Sequence, residues 1–193
     1  MSSEQIVRVP LERVGALVGR EGIVKNEIER RCGVTLDIDG KTGETRISYQ
    51  PEALLEANPF KAYDIVSAIA RGFSPQRAFS LLQEECILSL VDLREYAGKS
   101  ENALVRIKSR LIGTDGKARK IIEELTQSEI SIYGHTVAII GDPDDSKVAK
   151  EAIDKLAKGG THKATFEMLQ KYRTKKKLDR MQLWEAQKPP EQN

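Results

Sequence analysis

The sequence predicts an α+β protein: two copies of a strand–helix–helix–strand–strand–helix unit, followed by a basic helical tail. Three observations predict it. The stretches Leu17-Val18-Gly19-Arg20-Glu21-Gly22 and Leu111-Ile112-Gly113-Thr114-Asp115-Gly116 lie 94 residues apart, each an aliphatic pair running into Gly-x-x-Gly. At the same offset Ile28 meets Ile122, Leu36 meets Ile130, Ile38 meets Ile132 and Gly40 meets Gly134. Around each loop the periodicity changes from helical to alternating in the same order. A Gly-x-x-Gly alone is common, but its whole context repeated means internal duplication. The expected division is residues 1–83 for the first unit with a helical connector, 84–160 for the second and 161–193 for the tail.

The elements follow in order. Ile6 to Val9 reads as a strand stopped by Pro10, and Leu11 to Val18 as a short helix turning Val14, Leu17 and Val18 inward. After the loop, Ile23, Val24, Ile28 and Cys32 fall at helical spacing up to Gly33. Val34, Leu36 and Ile38 alternate with acids, Gly40 to Gly43 turns, and Ile47 and Tyr49 alternate again. Asn58-Pro59 then opens a helix, Asn as cap and Pro in its first turn, that buries Tyr63, Ile65, Val66 and Ile69. Ser74-Pro75 caps a connector helix to Leu82. The second unit repeats the series: strand Ile87 to Leu93, helix Ser100 to Ile112, and a helix with Ala118, Ile121, Ile122 and Leu125. Strands holding Ile130 and Ile132, then Val137 to Ile140, flank the turn Tyr133-Gly134-His135. A closing helix starts at Asp144 or Asp145 and runs to Gly159-Gly160.

A helix N-terminus presents backbone N–H groups without intrahelical partners and partial positive charge. Gly19, Gly22, Gly113 and Gly116 lack Cβ, so a phosphate-bearing chain can approach that backbone closely. The order of elements, with Leu17 to Glu29 and Gly33 to Ile38, resembles the type I KH domain; Leu111 to Glu123 with Ser131-Ile132 resembles it less regularly. There Lys117 stands where the first copy has Ile23, and no Gly precedes the second strand. The resemblance spans residues 4–160. Two such units, a helical connector, then Gly-Gly-Thr161-His162-Lys163 and a basic tail are similar to the two-KH small-subunit ribosome-assembly family, in its archaeal form.

The resemblance implies a three-stranded antiparallel sheet with helices on one face in each unit. It also implies loops that clamp about four nucleotides of single-stranded RNA. The loop residues Gly19, Arg20, Glu21, Gly22, Gly113, Thr114, Asp115 and Gly116 would hold the backbone. Val18, Ile23 and Ile38, with Ile112 and Ile132, would floor the grooves, although each taken singly reads as core. The implied ligand is small-subunit rRNA or its precursor near the 3′ end, in the cytoplasm. The implied partners are an rRNA-processing endonuclease or a translation initiation factor.

Charge separates the units. From Arg106 to Lys120 stand Arg106, Lys108, Arg110, Lys117, Arg119 and Lys120 against the single acid Asp115. From Glu12 to Arg31, Arg13, Arg20, Lys25, Arg30 and Arg31 are nearly balanced by Glu12, Glu21, Glu27 and Glu29. Phosphate neutralisation supplies most sequence-independent affinity, so the second unit should hold RNA more strongly. The whole-chain net charge of +2 hides this. Residues 159–193 carry +4, with Phe166, Leu169 and Tyr172 at helical spacing, which predicts a docked helix. Arg173 to Arg180 would extend from it and gain order on RNA, and Pro189-Pro190 to Asn193 reads as disordered.

At 193 residues and 39% apolar content the chain can bury two modest cores. No apolar leader lies between Ser2 and Arg13, and no stretch approaches membrane-spanning length. Cys32 and Cys86 read as small buried hydrophobes without metal spacing. No catalytic pattern emerges, and no cofactor or metal is expected. His135 and His162 have no partnered Cys or carboxylate pattern. Gly116-Lys117 is followed by Ala118, with Leu111 five positions before Gly116, so a Walker loop fails twice. Asp142, Asp144 and Asp145 before a helix are capping chemistry. The main expectation is therefore a non-enzymatic RNA binder. The alternative is an adaptor whose first unit docks a protein while the second holds RNA.

Overall fold

The computed structural model describes residues 3–49 and 58–186. The first unit consists of β1 (Ser3–Arg8), α1 (Leu11–Val18), α2 (Ile23–Cys32), β2 (Thr35–Ile38), β3 (Glu44–Tyr49) and α3 (Pro59–Ala70). Helix α4 (Pro75–Ala78) and a tight helical turn (Phe79–Leu82) lead onward. The second unit consists of β4 (Ile87–Asp92), α5 (Arg94–Ala97), α6 (Glu101–Ile112), α7 (Lys117–Thr126), β5 (Glu129–Tyr133), β6 (Thr136–Gly141) and α8 (Pro143–Ala157). Helix α9 (His162–Ala186) follows. The sheets are antiparallel, with orders β1-β3-β2 and β4-β6-β5, so each unit is α+β as expected. Leu36 opposes Ile47 in one and Ile130 opposes Ile139 in the other.

One carboxylate makes the same tie in both copies. Glu29 of α2 accepts the Leu36 N–H at 2.7 Å, and Glu123 of α7 accepts the Ile130 N–H at 2.8 Å. Each fastens the helix after the loop to the strand beside it. The helix ends differ in sequence but not in shape. Gly33 follows α2 with φ 65°, and Gln127 holds the equivalent position after α7 with φ 53°. A left-handed residue with a Cβ is strained. Gln127→Gly should therefore raise stability by about 0.5–1 kcal/mol, read as a higher denaturation midpoint. A lower midpoint would mean that the side chain contributes more than its strain costs.

The two units pack as one body. The inner face of the second sheet lies on α6, α7 and α8 through Val137, Ile139, Ile153 and Leu156, all buried. Most of its other face is also covered, although Leu90 at the β4 edge is 44% exposed. Ala138, Ile140 and Leu88 join the core of the first unit, packing with Ile65, Ile69, Phe73 and Leu81. All six residues of β6 are buried for this reason. So are Ile65 to Ala70 of α3, which lies between two sheets. Polar contacts close the seam. Arg77 reaches Glu123 and Glu129 at 2.6 Å each, Ser131 donates to the Arg71 carbonyl at 2.9 Å, and the Tyr133 hydroxyl donates to Glu12.

Several expectations change. Tyr63 is 41% exposed, because it sits at the outer edge of α3 beside a cleft between β1 and β4. Helix α8 starts at Pro143, since the Asp142 carboxylate accepts the N–H groups of Asp144 and Asp145 at 2.9 and 3.3 Å. The short α5 was not expected; the Asp92 carboxylate initiates it by accepting the Arg94 N–H at 2.9 Å. Cys32 is fully buried, and burial pushes its thiol up to about 11, but Cys86 is only half-buried. The tail is a continuous helix to Ala186, with Leu169 buried in the second core. The stretch from Pro189 to Asn193 lies outside the described residues.

Candidate nucleic-acid interface

The two loops share one backbone shape. Gly19, Glu21 and Gly22 have φ/ψ of 73/175°, 52/26° and 77/10°. Gly113, Asp115 and Gly116 have 70/178°, 52/27° and 74/13°. The Gly19 N–H bonds the Gly15 carbonyl at 2.9 Å, and the Gly113 N–H bonds Ser109 at 2.8 Å. Glu21 and Asp115 hold positive φ without being glycine, a strain that persists where surroundings enforce it and that clusters at binding sites.

The glycines of each pair have different tasks. A Cβ on Gly19 would stand 2.5 Å from Val24, and one on Gly113 would stand 2.7 Å from Ala118, so the first glycine admits the following helix. Around Gly22 and Gly116 the nearest atoms are 3.8 and 4.0 Å away. There the space is open, and the missing Cβ leaves backbone accessible from outside. Nor does any side chain cap the helices behind them. Asn58, Ser100 and Asp142 cap α3, α6 and α8 with side-chain oxygens, but the starts of α2 and α7 have no such bond. Two electropositive helix ends are thus left for an external anion.

Beside each loop runs an exposed apolar wall. Val105 and Ile112, two turns apart on one face of α6, are 57% and 36% exposed. Their counterparts on α1 are Leu11, 58% exposed, and half-buried Val18. Ile23 is 62% exposed, so it is not core and stands open beside the first loop. Ile38 and Ile132 are half-buried and pack on their cores from the edge strands. Leu11 and Val105 escaped the sequence reading, although the repeat offset aligns them.

The cations sort by partner. Arg106, Lys108, Lys117 and Lys120 make no ion pair among the described residues. Arg110 is turned away: its guanidinium donates to the carbonyls of Leu156 at 3.3 Å and Gly160 at 2.5 Å, closing α8. Arg119 lies 3.7 Å from Glu123. In the first unit Arg13 donates to Ile69 and Phe73 carbonyls at 3.0 and 2.5 Å, closing α3. Lys25 pairs with Glu29 at 3.9 Å, while Arg30 and Arg31 both hold Glu27. Those two guanidiniums keep the Glu27 carboxyl below its usual range. Arg20 alone stays unpaired beside the first loop among the described residues. Four free cations thus flank the second loop and one flanks the first.

Two family models match this chain: a KH domain over residues 3–56 and a eukaryotic-type KH domain (type I) over residues 87–174. A KH domain-containing protein of Methanocaldococcus jannaschii is 41% identical over 182 residues, covering 94% of this chain and 79% of that protein. The crystal structure of Dim2p from Pyrococcus horikoshii superposes with a TM-score of 0.80 at 41% identity, covering 88% of this chain and 99% of that one. The chain belongs to the two-KH-domain Dim2p family. The Pyrococcus a/eIF2alpha–aDim2p–rRNA complex also matches, with a TM-score of 0.82 at 40% identity over 90% of this chain and 96% of that one. The pre-rRNA-processing protein PNO1 of Chaetomium thermophilum is 34% identical over 100 residues, covering 50% of this chain and 38% of that protein. In this Dim2p-family chain no helix among the described residues is long and apolar enough to cross a membrane. No group of three His, Cys, Asp or Glu side chains that could hold a metal occurs among them.

Proposed function

We propose that this protein is an RNA-binding ribosome-biogenesis factor whose second KH unit clamps single-stranded rRNA at residues 113–116. The observation that carries the reading is the uncapped, electropositive start of α7 with unpaired Arg106, Lys108, Lys117 and Lys120 around it. Phosphates bind the helix start and those cations, while bases lie against Val105, Ile112 and Ile132. Family membership supports the class of ligand, since a solved relative was crystallised with rRNA and another is a pre-rRNA-processing protein. The 3′ end of small-subunit rRNA, in the cytoplasm, is the proposed address. The chain binds without turnover, and any cleavage there belongs to another protein.

Crosslinking in cells of a culturable archaeal relative tests this. Reads should concentrate near the 3′ end of small-subunit rRNA; reads spread over unrelated transcripts would contradict the assignment.

The first unit favours a second role. Its loop has the same backbone shape, but its helix cations are engaged with its own carboxylates. We read it as the docking unit for a protein, and a translation initiation factor is the favoured class because a relative was crystallised with one. Arg20→Asp should then leave RNA affinity within about twofold of wild type while weakening capture of that factor. Loss of RNA affinity with capture intact would reverse the assignment.

A further inference from the structure

Helix α9 runs past the core on which it docks. Leu169 is fully buried, but Leu178 and Met181 are 53% and 52% exposed. Toward the C-terminal end of α7 it presents Arg173, Lys176, Lys177 and Arg180, spaced i, i+3, i+4, i+7 along one helical face. With Leu125, Gln127 and Asp145 these four line a concave pocket of about 290 Å³.

Pairing within the pocket leaves its surplus of three cations intact. Asp145 is its only acid, and that carboxylate is already engaged. It is 4% exposed and accepts the Tyr172 hydroxyl at 2.8 Å and the Lys176 ammonium at 2.6 Å. Burial and Asp145 together push the Tyr172 phenol upward, so it remains a donor to that carboxylate. Lys177 and Arg180 are exposed and make no ion pair among the described residues. Arg173 meets the Glu124 carbonyl and carboxylate only at 3.4 Å, and the Glu124 side chain is 72% exposed. Cations near a helix C-terminus favour its dipole, which accounts for Arg173 but not for Lys177 and Arg180.

We propose that this pocket is a second phosphate site, occupied by the backbone of the RNA strand clamped at residues 113–116. It rests on the clamp reading of that loop. The loop opens α7 and the pocket closes it, so the sites are separated by ten helical residues, about 15 Å. Nucleotides flanking the clamped segment span that distance, whereas the roughly four within the clamp stay in the groove. The lining also argues against a protein partner. Leu125 is its one aliphatic residue and it holds no aromatic ring, whereas protein interfaces centre on apolar and aromatic anchors.

Lys177→Gln/Arg180→Gln in the full chain provides the test, by fluorescence anisotropy with labelled single-stranded RNAs of four and twelve nucleotides. The twelve-nucleotide RNA should lose about tenfold in affinity, and its logarithmic salt slope should fall by about 1.4 for two lost contacts. The four-nucleotide RNA should bind as before. Thermal unfolding should not move, because neither side chain is buried. Unchanged affinity for the longer RNA would overturn the proposal, and so would an equal loss on both lengths. If the wild-type protein binds neither RNA, the clamp reading fails and this site falls with it.

Discussion

Thr114→Asp should weaken single-stranded RNA binding between about ten- and a hundredfold, or about 1.4–2.8 kcal/mol. Thr114 is exposed, so the substitution costs little stability. It adds a second carboxylate beside Asp115, at the helix start where phosphate is expected. Like charges near a bound phosphate repel it, and the added charge also offsets one of the four free cations around the loop. The loss should shrink in high salt, because screening weakens repulsion and attraction together. Anisotropy titrations at two salt concentrations check both parts. Affinity within twofold of wild type would remove loop 113–116 from the RNA site.

Leu169→Ala should be the most damaging substitution in the C-terminal helix. Leu169 is fully buried in the second core with Ile122, Ile153 and Leu156, two turns beyond the start of α9. Removing a buried leucine side chain costs about 3 kcal/mol, which lowers the midpoint of thermal unfolding by about 6–12 °C at this chain length. The helix is also tied down by His162 against the Arg110 carbonyl at 2.9 Å and by Tyr172 against Asp145. Loosening it should therefore slacken the end of α6 and, through it, the second loop. RNA affinity should fall further than stability alone requires when measured well below the midpoint. A midpoint shift under 2 °C would mean that α9 is an appendage and not part of the second core.

Much of this was legible in the sequence because repeats and periodicity are local. Leu17 to Gly22 and Leu111 to Gly116 announced both loops, and the alternation of Leu36 and Ile38 announced the edge strand. The remainder depends on residues far apart in the chain. Six basic residues between 106 and 120 look equivalent in the sequence, yet Arg110 is used to close a helix 46 residues away. Arg30 and Arg31 look free until Glu27 lies between them. Val137 to Ile140 reads as a strand, but its burial on both faces needs α3 from the other unit. Helical spacing predicts Tyr63 in the core, but the cleft between the units leaves it partly in water. Gln127 concealed a helix end because the left-handed position there holds no glycine. Leu11 and Val105 show what alignment at the repeat offset could have supplied. An apolar residue exposed at the same place in both copies is poorly explained by packing.

The asymmetry between two similar loops is the centre of this account, and backbone amide shifts read it directly. With single-stranded RNA carrying the 3′-terminal sequence of small-subunit rRNA titrated into the labelled full chain, the amides of Thr114, Gly116 and Lys117 should move first and furthest. Those of Arg20, Gly22 and Ile23 should move little at the same RNA concentration. Shifts led by Arg20 to Ile23, or confined to residues away from both loops, would contradict it.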